Sequence, residues 1–337
     1  MERDPASSKK TILTLRRPGR TVTVPHEEGV TILEALAGEP SVSIAAPCGG
    51  RARCGKCAVR VLAPTPAPEP SPADRRFLSD DELARGLRLA CTCNADLVTE
   101  LEAPREYRDA SVKGELPGFK EPAETSPEIA GRGAFAAAID IGTTTVAAFL
   151  VESATGEAVD VLSRMNRQSV YGADVLSRIA YAEEHGLDPV AAAIRAQLDA
   201  MLGELADRNG ATRGDIGTVV IAGNTTMLHF VAAEDVSGIG RAPFVPAFIE
   251  ARTYAAADLE LHLAPGARAQ LLPSVSAYVG ADIVAAAVAA ELDRSPETTL
   301  LVDIGTNGEL ALRHGDALWA CSTAAGPAFE GASISAG

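Results

Sequence analysis

Apolar and polar positions alternate over TILTL (11–15) and TVTV (21–24), with Pro18 and Gly19 between them. A period of two on either side of turn formers predicts a β-hairpin. TILEALAG (31–38) changes to helical spacing and ends in Gly38, which predicts a short helix that covers one face of the sheet. VRVL (59–62) and LVTELE (97–102) read as further strands. Between them, PTPAPEPSP (64–72) has proline at every second position, so it predicts a stiff, extended, exposed loop. Ser79 with Glu82 three residues later is a capping-box pattern, predicting a helix over DDELARGLRL that leads toward Cys91.

Residues 104–133 hold Pro104, Pro117, Pro122 and Pro127 among Gly and Glu, with no sustained apolar period, and read as a linker. From Phe135 the pattern changes. FAAAIDIGTTTVAAFLV (135–151) predicts strand, turn and strand; residues 171–186 and 189–210 predict helices. IGTVVIAGNTTMLHFVAA (216–233) predicts a strand, a turn and a helix, residues 279–292 another helix, and residues 299–322 two or three strands. Alternation of this kind builds an α/β layer structure. The expected domains are therefore 1–103, a linker over 104–133, and 134–337.

Composition narrows the classes. Hydrophobic residues make up 47% of the 337 and aromatic ones only 4%, so the cores are built from Ala, Val, Leu and Ile. Residues 1–103 carry 14 Lys/Arg against 14 Asp/Glu, which places the whole net charge of −15 in residues 104–337. An acidic body repels phosphate backbones, so nucleic acid is not an expected partner, and nothing predicts binding to a membrane. No acid lies between Glu39 and Glu69, whereas Arg51, Arg53, Lys56 and Arg60 do, predicting a basic lip there. The opening MERDPASSKK lacks the apolar core of a secretory signal, so the chain reads as cytoplasmic.

Five of the six cysteines fall between positions 48 and 93, which argues for a metal site over a disulfide scaffold. Cys48, Cys54 and Cys57 form C-x5-C-x2-C, and LACTC offers Cys91 and Cys93 as a fourth ligand. Soft, anionic thiolates suit iron, and four of them hold a 2Fe–2S cluster. Gly49, Gly50 and Gly55 allow positive φ and close backbone approach, so that amides reach the sulfurs. A zinc knuckle is the alternative, but no second short cysteine pair or neighbouring histidine accompanies this one. Residues two apart on an extended segment point the same way, so geometry alone leaves Cys91 and Cys93 open. Cys321 reads as a core residue.

PCGGRARCGKC followed by LAC, in a strand–strand–helix–cysteine-loop order, resembles the β-grasp ferredoxins, an α+β fold. That resemblance implies that Cys91 completes the ligand set of Cys48, Cys54 and Cys57.

AIDIGTTTV (138–146) and LVDIGTNGEL (301–310) are near copies: an apolar strand ends in Asp, and Ile-Gly-Thr turns into the next strand. Amides and Thr hydroxyls at such a turn face an anion, and an Asp at the strand end holds a hydrated metal ion beside phosphates. The plainer reading is that both turns simply close hairpins. The pair resembles the two phosphate motifs of the superfamily of actin, acetate and sugar kinases and heat-shock chaperone ATPases, whose fold is ribonuclease-H-like. The resemblance implies ATP with Mg as cofactor, held by Asp140, Gly142, Thr143 and Thr144 on one side and Asp303, Gly305, Thr306 and Asn307 on the other. His229 reads as a packed core histidine.

IAGNTTMLHF (221–230), YGADVLSRI and AAGPAFEGA extend the likeness. A ferredoxin joined to this ATPase-like unit resembles the reductive activators of corrinoid proteins found with cobalamin-dependent methyltransferases, over essentially the whole chain. That implies a corrinoid protein as electron acceptor, a separate reductant as donor, and ATP driving the transfer. The alternative is a plain electron carrier whose ATPase-like half is a docking or homodimerisation platform. A small-molecule kinase with a regulatory cluster would need a catalytic base and an acceptor pocket, neither of which the sequence identifies. The superfamily's second half normally continues well past the second phosphate motif, so the end at SISAG reads as a truncation, leaving the second half incomplete.

Overall fold

The computed structural model describes residues 11–17, 20–37, 44, 46, 48–102, 133–305 and 308–323. Most of the expected linker, the AAGPAFEGA segment and the chain end lie outside them. The chain divides into two compact units: Met1–Arg108 with Arg167–Ala173, and Asp109–Asn166 with Asp174–Gly337.

In the first unit, β1 (Thr11–Arg17) and β2 (Arg20–His26) form the expected antiparallel hairpin, and α1 (Ile32–Ala37) follows. β3 (Ala58–Ala63), α2 (Pro72–Phe77), α3 (Asp80–Ala84), β4 (Leu87–Leu89) and β5 (Glu100–Glu102) complete it. The sheet order is β2-β1-β5-β3-β4, with β1 and β5 parallel at Leu15 and Leu101. Leu13, Leu15, Ile32, Leu36, Val59, Leu89 and Leu101 are buried, so the period-two residues of the strands and the apolar stripe of α1 supply the core.

Two local expectations are corrected. The helix expected over DDELARGLRL stops at Ala84, because Gly86 takes φ +82° and Leu87–Leu89 turn into a strand. The proline-rich loop ends in a helix: Ser71 caps α2 with a complete capping box to Asp74, and Pro72 occupies the first turn, where it loses no helical hydrogen bond.

In the second unit, β6 (Phe135–Ile141), β7 (Thr145–Glu152) and β8 (Ala158–Met165) form an antiparallel meander. α4 (Val175–His185) and α5 (Asp188–Arg208) come next, then β9 (Ile216–Gly223) and α6 (Thr225–Ala232). α7 (Ser237–Gly240), β10 (Arg252–Ala255) and β11 (Arg268–Leu271) lead to α8 (Ala281–Ala289). The large sheet runs β10-β11-β9-β6-β7-β8, with β9 parallel to both β6 and β11. Ile139, Ile141, Val146, Ala148 and Leu150 alternate inward, and Ile194, Leu198, Leu202 and Leu205 of α5 are likewise buried. A separate sheet of β12 (Thr299–Ile304), β13 (Gly308–His314) and β14 (Ala317–Thr323) packs through Leu301 and Ala311 against Val279, Ile283 and Leu292.

Candidate metal centre and phosphate turns

Cys57 immediately precedes β3 and Cys91 follows β4, and the antiparallel pairing of Ala58 with Leu89 continues as Ala90 N–H donating to the Cys57 carbonyl at 2.9 Å. That extension brings the two sulfurs to 3.4 Å. The loop before β3 folds back so that Cys48 and Cys54 also stand 3.4 Å apart. Two thiolates on one tetrahedral metal ion with metal–sulfur bonds of about 2.3 Å stand roughly 3.8 Å apart, so each pair fits a shared iron. Among the described residues no three His, Cys, Asp or Glu side chains converge on a single ion. Two pairs, rather than one four-thiol point, suit a binuclear cluster.

Backbone amides face the sulfurs: those of Arg51, Arg53 and Cys54 toward Cys48, that of Lys56 toward Cys54, and that of Ala52 toward Cys91. Gly49, Gly50 and Gly55 take the positive φ that their loop position anticipates, and Ala52 joins them at +53°. At Gly55 a Cβ would fall 2.8 Å from that of Phe77, so the loop needs both the φ and the missing side chain. The hydrogen bond with Cys91 lowers the Cys57 thiol to about 7 and raises that of Cys91. Arg51, Arg53 and Lys56 are exposed, as a basic lip requires.

Cys91 and Cys93 are not on an extended segment. Thr92 and Cys93 both donate their N–H to the Leu89 carbonyl, at 3.1 Å each, and this turn sends the Cys93 side chain into the core, where burial pushes its thiol up to about 11. No pattern along the chain announces Asp74, a buried carboxylate that accepts from the Ser71 N–H and, at 2.7 Å, from the Leu89 N–H two residues before Cys91.

In the second unit the first Asp-Gly-Thr turn joins β6 to β7. Gly142 N–H donates to Thr145 O at 2.9 Å, closing the hairpin, and Thr143 is buried. Asn224, the N-cap of α6, accepts from Met227 N–H and donates through Nδ2 to Thr143 Oγ1 at 3.0 Å. Gly280 caps α8 against it: a Cβ there would lie 2.5 Å from Asn224 Cα. Asp140 is open to solvent, yet protein crowds round it, which places it in a concavity. That crowding, then the charges of Asp282 and Asp303, push its carboxyl up to about 6. Glu309, paired across the ladder with Asp303, is pushed up to about 8 by burial and then by Asp282 and Asp303. Asp282 is also raised, first by burial.

The structure thus brings Asp140 and Asp303 within one electrostatic cluster and adds Asp282 and Glu309, which sequence reasoning missed. A signal for Asp282 was present: Gly-Ala-Asp occurs at 172–174 and again at 280–282, each time opening a helix. Gly305 follows β12, while Thr306 and Asn307 lie outside the described residues. His229 is a core residue. It is fully buried, bonds Thr225 O through Nδ1 at 2.7 Å, accepts the Phe248 N–H at Nε2 and stacks on that ring. Cys321, expected in the core, is exposed on β14, whose outer side nothing covers among the described residues.

Comparison with known families follows this division. Residues 16–96 match the 2Fe-2S iron-sulfur cluster binding domain, residues 135–295 the RACo middle region, and residues 297–337 the C-terminal domain of RACo, the ASKHA domain. The corrinoid activation enzyme RamQ of Eubacterium limosum is 34% identical over 202 residues, 59% of this chain and 34% of RamQ. A solved "Reductive activator for corrinoid,iron-sulfur protein" superposes with a TM-score of 0.59 at 26% identity, covering 96% of this chain and 64% of that one. The chain is a homologue of the corrinoid reductive activators. A further relative, the Methanosarcina barkeri reductase of the Co(II) methylated amine-specific corrinoid protein, is 43% identical over 65 residues, 19% of this chain and 12% of its own. The chain spans about a third of RamQ and 64% of the solved activator. Its fold is accordingly a ferredoxin-type domain with a 2Fe–2S site followed by an ASKHA-type domain. No helix among the described residues is long and apolar enough to cross a membrane.

Proposed function

We propose that this chain is a reductive activator of a corrinoid protein, in which Cys48, Cys54, Cys57 and Cys91 hold a 2Fe–2S cluster and the two Asp-Gly-Thr turns bind ATP. The observation that carries the reading is the joining of a cluster-binding domain to the RACo middle and ASKHA regions in one chain. The proposed division of labour is 1–103 for electrons and 134–337 for nucleotide, with 104–133 as the linker. A bound 2Fe–2S cluster supplies one-electron transfer.

The chain's own groups prepare each site. Amides aimed at the cysteine sulfurs stabilise negative charge there, and the exposed lip of Arg51, Arg53 and Lys56 adds positive potential. In the second unit, mutually repelling Asp140, Asp282 and Asp303 favour a divalent cation. Since no three carboxylates converge on one point, such a cation keeps much of its water, as Mg²⁺ does beside phosphates. Gly142, Thr143 and Thr144 would face the phosphates on one side and Gly305, Thr306 and Asn307 on the other. ATP shifts the chain between states only by binding them unequally.

The test is anaerobic. Cluster-loaded chain, a chemical reductant and a Co(II) corrinoid protein are mixed with and without Mg–ATP, and loss of the Co(II) spin-resonance signal is followed. ATP-dependent loss is expected. Equal rates without ATP would favour the plain electron carrier. That reading draws on the likeness to the Na(+)-translocating NADH-quinone reductase of Chlamydia pneumoniae, one component of which is 39% identical over 85 residues. Cys48→Ala is expected to abolish the visible bands and the reduced-state spin signal, whereas Cys93→Ser keeps both; a Cys48→Ala protein with an intact spectrum would remove Cys48 from the ligand set.

A further inference from the structure

The first Asp-Gly-Thr turn is held from behind at three successive carbonyls. Gly142 O accepts from Asn166 Nδ2 at 2.8 Å, Thr143 O from Arg178 Nη2 at 2.6 Å, and Thr144 O from the Asn166 backbone N–H at 2.7 Å. Asn166 and Arg178 are both 0% exposed. The Met227 sulfur fills the space beside them, 3.6 Å from Asn166 Nδ2 and 3.4 Å from Arg178 Nη1.

A peptide group is planar and trans, so its C=O and the following N–H point in opposite directions. Drawing the carbonyls of Gly142 and Thr143 into the interior therefore turns the N–H groups of Thr143 and Thr144 toward the other face. The Asn224 bond to Thr143 Oγ1 fixes the intervening side chain as well. The turn is thereby oriented before any ligand arrives, which spares a ligand the cost of ordering it.

Arg178 is the costly member of this arrangement. Its place on the buried side of α4, next to Ile179 and near Ala182, would be filled by a Leu or Met at no electrostatic cost. Burial lowers its guanidinium to about 9, partly offset by Asp174 at the cap of α4, so the group remains a cation at neutral pH. A buried cation directly beneath a turn of amides raises the potential on the turn's outer face, where low dielectric makes it felt.

We propose that Arg178 is a positioning residue for phosphate recognition: with Asn166 it locks Gly142–Thr144 in the orientation that offers amides to the phosphates of a nucleoside triphosphate, and it supplies positive charge behind them. The inference rests on the nucleotide reading above. It also gives a role to the YGADVLSRI motif, whose Asp174 caps α4 and whose Arg178 reaches the turn one helical turn later.

The experiment compares the parent chain with Arg178→Met, which keeps the volume, and Arg178→Lys, which keeps the charge but not the fork. Circular dichroism and the visible spectrum of the cluster check the two units separately. Mg–ATP affinity is measured by calorimetry, and kcat and KM are taken wherever ATP hydrolysis is measurable. Arg178→Met is expected to weaken Mg–ATP binding about 30-fold and Arg178→Lys about 10-fold, raising KM in parallel while the cluster spectrum is unchanged. Should Arg178→Met fail to fold, Arg178→Lys carries the test. If the parent binds Mg–ATP and the folded variants bind it within about twofold of the parent, this inference falls and the nucleotide reading stands. If the parent itself fails to bind Mg–ATP, both fall.

Discussion

The two Asp-Gly-Thr hairpins are almost the same sequence set in opposite surroundings. In the first, β6 runs between β9 and β7 in the six-stranded sheet, and Ile141, just before the glycine, is 0% exposed. In the second, β12 is the edge of a three-stranded sheet and the equivalent Ile304 is 70% exposed, with Leu300 and Val302 on the same open side. The hairpin itself is encoded locally, by strand, Gly-Thr and strand. Its support comes from distant residues: Asn166, Arg178 and Asn224 brace the first turn, and the second leans on α8 through Leu301 and Ala311 alone. A shared motif therefore guarantees a shared shape but not a shared rigidity.

The comparison is broken or sharpened most strongly by paired truncations. Ile141→Ala is expected to cost about 3 kcal/mol in urea unfolding of the second unit, and Ile304→Ala less than about 0.5 kcal/mol. Equal losses would mean that the second hairpin is as embedded as the first.

A smaller effect should follow pH. Glu309 and Asp140 have folded-state values above their unfolded ones, so the folded protein keeps protons that the unfolded chain releases. The stability this gives is greatest at low pH and is lost as pH rises past about 6 and then about 8. The melting temperature of the second unit should fall by roughly 5 °C between about pH 5.5 and about pH 8.5, and Glu309→Gln should flatten the slope. Solvent around Asp140 makes Glu309 the larger contributor. A melting temperature that rises over this range would contradict the acidic cluster.

The smallest expected effect is Asn224→Ala, which removes both the N-cap of α6 and the bond to Thr143 Oγ1. It should cost about 1 kcal/mol and leave the second turn unaffected, as hydrogen exchange at Gly308–Leu310 against Thr143–Val146 would report. A change of protection at both turns would show that the hairpins respond as one body.

What could be read from the sequence follows how locally each feature is encoded. The cysteine loop, the β1–β2 hairpin and the β6–β7 hairpin each lie within a short window, and alternation or spacing exposes them. β8 escaped notice because its partly exposed AVDVLSRM carries Asp and Arg amid its apolar positions, and β10 and β11 because four residues show no period. α2 hid inside a proline run, where Ser71 and Asp74 were read as loop rather than as a cap. Cys93 was separated from Cys91 by a turn onto Leu89 O, a backbone event that side-chain identity does not announce. Asp282 and Glu309 join Asp140 and Asp303 only through tertiary packing, so no pattern along the chain placed the four together.

Gly280 has a wider consequence. Because it carries no side chain, the first turn of α8 closes on Asn224 and the first turn of α6, so the starts of two helices meet beside the acidic cluster. Each start carries roughly half a unit of positive charge from aligned peptide dipoles. The backbone thus softens the mutual repulsion of the carboxylates without any lysine or arginine, and even an alanine at position 280, by wedging the helices apart, would weaken that field.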